Sequence, residues 1–242
     1  MKIRLSILAV AAAIFALFPL TPALAEQTIS CPAGEYDMLD WMTLDSDLRG
    51  SHFMTGNNPE YTLVMPGKFY YTKGPSGFPW DVNLFDNSYI YLWITEYNWN
   101  DPHTYKKFTY NTNMPIAPRC AKGGFPGSSI KVSNTWYDVH TDCGHYKRQN
   151  LGYAINEVWG PYNMNFGGSI NQTLPTLVIS YRYNCDSSYS NCVDKEAYYL
   201  TRRYGMVQWS HFSLKNGEYQ LAQVATFNRM GNGSANPSFP CF

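Results

Sequence analysis

Charge is what this chain has least of. Only 15% of its residues are Asp, Glu, Lys or Arg, well under the usual share of a globular chain. The 18 basic and 18 acidic side chains cancel, so the basic footprint of a duplex nucleic-acid binder is missing. Chemical fingerprints are scarce as well. No Gly-rich dinucleotide turn occurs, and no cofactor is expected. No Gly-x-Ser-x-Gly elbow presents a serine nucleophile. No Cys-x-x-Cys pair spaces two thiolates for zinc or dithiol exchange, so no metal is expected. No internal repeat aligns, which disfavours a propeller or a solenoid.

Aromatic rings fill the space that charge leaves. Among 242 residues there are 20 Tyr, 13 Phe and 7 Trp, and the hydrophobic fraction is 45%. Such a chain has ample apolar surface for a core and is not a disordered one. Its polarity comes from Asn, Ser, Thr, Tyr and Gly.

The N-terminus reads as an address. Lys2 and Arg4 precede an apolar run from Leu5 to Leu20, and Ala23-Leu24-Ala25 supplies a small-x-small cleavage pattern. A signal peptide over 1–25 is predicted, leaving 26–242 as one exported domain. No second apolar stretch approaches membrane length, so no membrane association is expected after cleavage. The six cysteines agree with export into an oxidising compartment. Their spacing suggests Cys185–Cys192 around a short polar turn, Cys31–Cys241 near the two mature ends, and Cys120–Cys143 around a Gly/Pro-rich loop.

The dominant hydrophobic period is two. Strands are predicted near 61–65, 68–73, 80–85, 88–98, 129–139, 162–167, 176–184, 196–201, 205–213 and 218–228. Two segments show helical spacing instead, Asp37 to Arg49 and Lys147 to Trp159. The expected fold is mainly β: a two-layer antiparallel β-sandwich of jelly-roll-like kind with two short peripheral helices.

The stretch from Ser88 to Asn100 carries the most functional information. Ile90, Leu92 and Ile94 fall on one face of a strand; Tyr89, Tyr91, Trp93, Tyr97 and Trp99 fall on the other. Only one face of a sandwich strand looks into the core. The aliphatic set suits that core and leaves the rings for a ligand groove or for a second, covered core. Rings with polar edges suit sugars, whose C–H faces stack on aromatic planes while hydroxyls meet polar tips.

Acid–base candidates are dispersed. Glycoside hydrolysis needs two carboxyl groups across one cleft. Glu96 lies at the end of the aromatic strand, Glu157 on the polar side of the second expected helix, and Glu196 shares a strand face with Asp194 and Tyr198. His211 follows Trp209 on one strand face, and Arg182 precedes Cys185 by three; with a tyrosine proton carrier these two would suit a polysaccharide lyase. His140, Asp142, Cys143 and His145 form a local cluster. The sequence therefore predicts a secreted protein that binds a polysaccharide through an aromatic sheet face. The alternatives are a lyase or hydrolase using the same groove, and a cell-surface structural or adhesion protein.

Overall fold

The period of two becomes one long antiparallel sheet. A computed structural model describes residues 29–44, 51–55, 58–65, 67–73, 79–95, 104–107, 114–125, 127–142, 144–168, 170–226 and 229–232. In chain order these form β1 (Glu35–Asp37), α1 (Met38–Met42), β2 (Ser51–Thr55), β3 (Asn58–Met65), β4 (Lys68–Lys73) and β5 (Pro79–Phe85). Next come β6 (Tyr89–Thr95), β7 (Tyr105–Lys107), β8 (Met114–Pro118), β9 (Cys120–Lys122), β10 (Ser129–Thr141) and β11 (His145–Phe166). The last are β12 (Gln172–Cys185), β13 (Cys192–Thr201), β14 (Gly205–Lys215), β15 (Glu218–Thr226) and β16 (Arg229–Asn232). The predicted signal peptide lies outside the described residues.

The sheet runs β15-β14-β13-β12-β11-β10-β7-β6-β5-β4-β3-β2-β16, with β8 also pairing β6, 14 strands in all; β1 and β9 form a separate pair. Successive strands are neighbours almost throughout, a meander in place of the crossing order of a jelly roll. Open sheets this wide curl or split. Here β15 ends at Thr226 and β16 begins at Arg229, so the chain passes from one sheet edge to the other in at most about 11 Å. The sheet has to curl until its edges approach. It does not close as a barrel, since among the described strands β15 pairs only with β14 and β16 only with β2.

Curling gives strands far apart in that order a common core. Phe69 of β4, Ile90 and Leu92 of β6, and Met114 of β8 pack in one buried cluster with Leu177 and Ile179 of β12 and Leu200 of β13. Met38, Leu39, Trp41 and Met42 of α1 join the same cluster. The alternation expected for β6 is present: Ile90, Leu92 and Ile94 are buried, while Tyr91, Trp93 and Thr95 are half-buried and Tyr89 is exposed.

Neither helix expectation holds at full length. The described part of the first is helical over Met38–Met42 and ends there, because Thr43 adopts extended backbone and bonds back to the Leu39 carbonyl through both its N–H and its hydroxyl; 45–49 lie outside the described residues. The second, 147–159, is strand throughout, inside the 22-residue β11. Its helical spacing arises because around 154–158 both faces of this strand are covered. Ala154 and Val158 join the main core, while Ile155 packs with Cys185 and Cys192 on the other side. A strand buried on both faces loses the simple alternation that marks a half-exposed one. Gly160 then sits at φ +98, where an added Cβ would lie 2.7 Å from the Thr176 carbonyl oxygen, so glycine is needed for backbone approach as well as for conformation.

Two disulfides are described, and they revise the expected pairing. Cys185–Cys192 forms as predicted. Cys31 pairs with Cys120, 89 residues away, in place of Cys241, which lies outside the described residues. The reason is the β1–β9 ladder, where Asp37 sits opposite Cys120 and a turn closed by Glu35 N–H on the Pro32 carbonyl brings Cys31 back to it. Cys120–Cys143 is excluded because Cys120 is already joined to Cys31; 143 lies outside the described residues.

Among the described residues the largest fully buried side chain is Arg119, between β8 and β9. Its Nε and Nη2 donate to both carboxylate oxygens of Asp37, and its Nη1 donates to the Asp86 carbonyl oxygen at 3.3 Å. The guanidinium also lies 5.3 Å from the Phe85 ring centroid. Asp37 in turn accepts the Leu39 N–H at 3.0 Å and so caps α1.

Arg119→Met should lower unfolding free energy by about 3–5 kcal/mol in urea titrations, as expected for a buried charge left unpaired, and adding Asp37→Leu should recover part of the loss. Peptide mapping without reductant should join Cys31 to Cys120, and changing both to Ser should cost about 2–4 kcal/mol.

Candidate functional site

Three consecutive strands bring rings and acids together. In β12, β13 and β14, Tyr181 is level with Glu196 and His211, and Ile179 with Tyr198 and Trp209. Residues level across a ladder share a face, so the alternation places Tyr181, Tyr183, Asp194, Glu196, Tyr198, Trp209 and His211 on one side of the sheet. At its centre the Glu196 carboxylate accepts three bonds. Tyr183 OH donates to Oε1 at 3.2 Å; Tyr198 OH and the Trp209 indole N–H donate to Oε2 at 2.7 and 3.0 Å. The rings around it are stacked in pairs, Tyr181 on Tyr183 with centroids 4.7 Å apart and Trp209 parallel to His211 at 6.3 Å. Towards the solvent, His211 Nε2 lies 3.5 Å from Asp194 Oδ1, both side chains about a quarter exposed (26% and 24%).

Behind Tyr198 lies a small cavity lined mostly by apolar side chains, Leu92, Ile116 and Ile179 among them. Its walls include Met42 of α1, Asp81 and Asn83 of β5, and Tyr181 and Tyr198, and its volume is about 10 Å³, room for about one water-sized group. Asn83 is 1% exposed, and neither its amide nitrogen nor its amide oxygen has a hydrogen-bond partner. Tyr198 separates this cavity from Glu196. Burial first, then the charges of Glu196 and Asp81, hold its pKa well above the ordinary tyrosine value. It is a neutral phenol that keeps its proton and donates a hydrogen bond to Glu196.

The opposite face of the same strands has the opposite chemistry. Arg182 Nη2 donates to Glu157 Oε2 at 3.1 Å. Lys195, level with Arg182, holds its ammonium 5.1 Å from the Trp159 ring, 5.2 Å from Phe212 and 5.6 Å from Tyr219. Desolvation, then Arg182, lowers the Lys195 pKa, and Glu157 opposes them.

The sequence candidates are therefore partly gathered and partly parted. Glu196 and His211 sit opposite each other in the β13–β14 ladder. Arg182 is on the far face, so the pairing of Arg182 with His211 that a lyase would use does not form. Glu157 is an ion-pair partner on β11 and not a helix residue. Glu96, Tyr97 and Trp99 lie outside the described residues. Of the β6 rings, Tyr91 donates its OH to Asp86 at 2.8 Å, and Trp93 lies under the Lys107 ammonium at 5.4 Å. Burial and the Asp86 bond raise the Tyr91 pKa to about 12. These contacts occupy part of the predicted aromatic surface with the protein's own groups.

The His140 cluster does not converge. His140 stacks on Tyr105 at 4.8 Å and 3° and also faces Tyr146, while Asp142 and His145 are exposed and 143 lies outside the described residues. Among the described residues no three His, Cys, Asp or Glu side chains gather as a metal site would require. No known family, curated protein or solved structure matches the chain, so the functional case rests on its own geometry.

The His140 ring nitrogens are buried without hydrogen-bond partners. Desolvation, then Lys107, lowers its pKa, with Asp138 opposing. The unfolded chain therefore takes up the proton first on acidification. Stability contributed by neutral His140 is complete above the ordinary value of about 6.5 and drains as pH falls from there to the lower folded value. Urea midpoints of the protein should fall more between pH 7 and pH 5 than those of His140→Phe; parallel declines would refute this.

Proposed function

We propose that the protein is an exported glycan-binding protein whose contact surface is the ring-lined face of β12–β14, with Trp209 and His211 as the stacking platform and Glu196 as the polar anchor. The observation that carries this is the indole of Trp209, fixed by its N–H on Glu196 and flanked by a parallel imidazole. Flat rings that hold one orientation before the ligand arrives lose little entropy on binding. They match the C–H face of a pyranose, while a carboxylate accepts from its hydroxyls. A carboxylate has about four acceptor sites. Glu196 uses three on its own rings, which leaves about one for a ligand.

The sequence-suggested rings of β6, Tyr89, Tyr91 and Trp93, are proposed as a second contact surface, with Tyr89 the exposed member. The described disulfides fit a compartment outside the cytoplasm. Cleavage of the glycan is a second reading, favoured by the presence of Asp194 and Glu196 on one strand face beside the rings.

A panel of neutral, amino and acidic oligosaccharides titrated against the oxidised protein tests the proposal through intrinsic Trp fluorescence. Trp209→Ala should weaken glycan binding at least tenfold, about 1.4 kcal/mol, while Tyr146→Ala, at the distant β10–β11 hairpin, should leave it unchanged. Reducing-end assays on the same samples separate a binder from a hydrolase. Silence across the whole panel would sink the glycan reading.

A further inference from the structure

We infer that the free edge of β15 joins two copies of this chain, strand to strand, so that the sheet continues from one protomer into its partner. The first observation is the edge itself. Among the described residues β15 pairs only with β14, and the outer side of an edge strand presents a row of backbone donors and acceptors to another chain. Edges are commonly guarded by charges, by proline or by a covering segment. This strand carries one charge, Glu218 at its first position, and no proline. Five successive residues, Gln220 to Val224, are exposed, on both sides of the strand at once.

The second observation is where the exposed aliphatic groups gather. Leu221 is level with Phe212, Tyr219 with Leu214, and Val224 with Ser210. These residues share the face that carries Lys195, which is level with Phe212, and by alternation Val193. Four large hydrophobics exposed to solvent, Val193, Leu214, Leu221 and Val224, therefore lie together at this end of the sheet, with Leu221 58% and Val224 50% exposed. Apolar groups gathered in this way mark a contact surface.

The register identifies a second copy as the occupant. The β14–β15 ladder shifts between His211 and Phe212, which leaves Ala222 as an extra residue. Leu221 and Val224 share a face for that reason, although they are three apart. Antiparallel pairing about a two-fold axis through Gln223 then sets Leu221 opposite Val224 of the second copy, and Val224 opposite its Leu221. Tyr219 meets Thr226, Gln220 meets Ala225, and the two Gln223 amides, each with donors and an acceptor, meet on the axis. Every pair matches outer face with outer face or inner with inner, as a continuous sheet requires. No two charges oppose each other, and the chain as a whole is neutral, with 18 basic and 18 acidic side chains. Such a dimer would hold both copies of the ring-lined face of β12–β14 on the same side of one sheet.

The test is analytical ultracentrifugation of the intact oxidised protein between about 1 μM and 1 mM. A single strand pair is at the small end of specific interfaces, so a dimer of micromolar strength is expected. Gln223→Lys and Gln223→Glu each place like charges against each other on the axis, and each should weaken self-association at least tenfold, less so in high salt. An equimolar mixture of the two variants should recover the dimer, because lysine then faces glutamate. Tyr146→Ala, at the distant β10–β11 hairpin, should leave the dimer unchanged. A monomer throughout the range would overturn the inference. So would a dimer that both charged variants leave intact, or variants with unaltered urea midpoints that stay monomeric when mixed. Mass is the readout, so the outcome is independent of the glycan titrations, and the first comparison uses the unaltered protein.

Discussion

One buried guanidinium joins parts of the chain that the sequence keeps far apart. Arg119 closes both oxygens of Asp37, reaches the Asp86 carbonyl, and stacks near Phe85. Its own backbone accepts from Met38 N–H and donates to the Ser88 carbonyl, both at 2.8 Å. The start of α1, the β5–β6 turn and the β8–β9 junction thus meet at one side chain. A buried pair stabilises only when its donors and acceptors are all met, and here they nearly are. The dependence extends to the candidate site. Asp37 caps α1, α1 delivers Met42, and Met42 forms part of the wall behind Tyr198.

The second organising fact is a division of labour between two faces of the same three strands. Successive residues of β13 point to opposite sides, so Lys195 and Glu196 are neighbours in sequence and belong to different environments. Basic groups collect with Glu157 and the Trp159–Phe212–Tyr219 rings on one face. Acids collect with Tyr183, Trp209 and His211 on the other. A chain with so few charges can still build a strongly signed surface, because the pleat sorts each charge by parity. That sorting also keeps Arg182 from His211, which disfavours the lyase chemistry they would share.

Much of this was legible beforehand, and the failures have physical causes. Period two located most strands within a few residues, and the alternation of Ile90, Leu92 and Ile94 with Tyr91 and Trp93 was right. The stretch 147–159 misled because β11 is covered on both faces around 154–158, where apolar residues fall on both sides and can imitate helical spacing. The Cys31 partner was missed because closeness of chain ends is a weak guide beside a specific ladder, which sets Asp37 opposite Cys120. Glu196, Tyr198, Trp209 and His211 were visible as separate alternations. What joined them was the register of two hairpins, with Glu196 level with His211 and Tyr181. Tyr183 was missed altogether, although Tyr181-x-Tyr183 carried the same two-residue signal one strand earlier. Asn83 and Asp81 had no signal at all, since only the curling of the sheet carries β5 to β12 and β13.

The Cys185–Cys192 loop has a practical consequence. Its intervening residues, Asp186 to Asn191, are largely surface-exposed and are held by bonds from Ser188, Ser190 and Asn191 to the Asp186 carboxylate. A single protease cut between those cysteines would leave the two pieces covalently tied across the break. On a gel such a nicked chain runs as one species until reductant is added. Intactness of the polypeptide therefore has to be judged under reducing conditions.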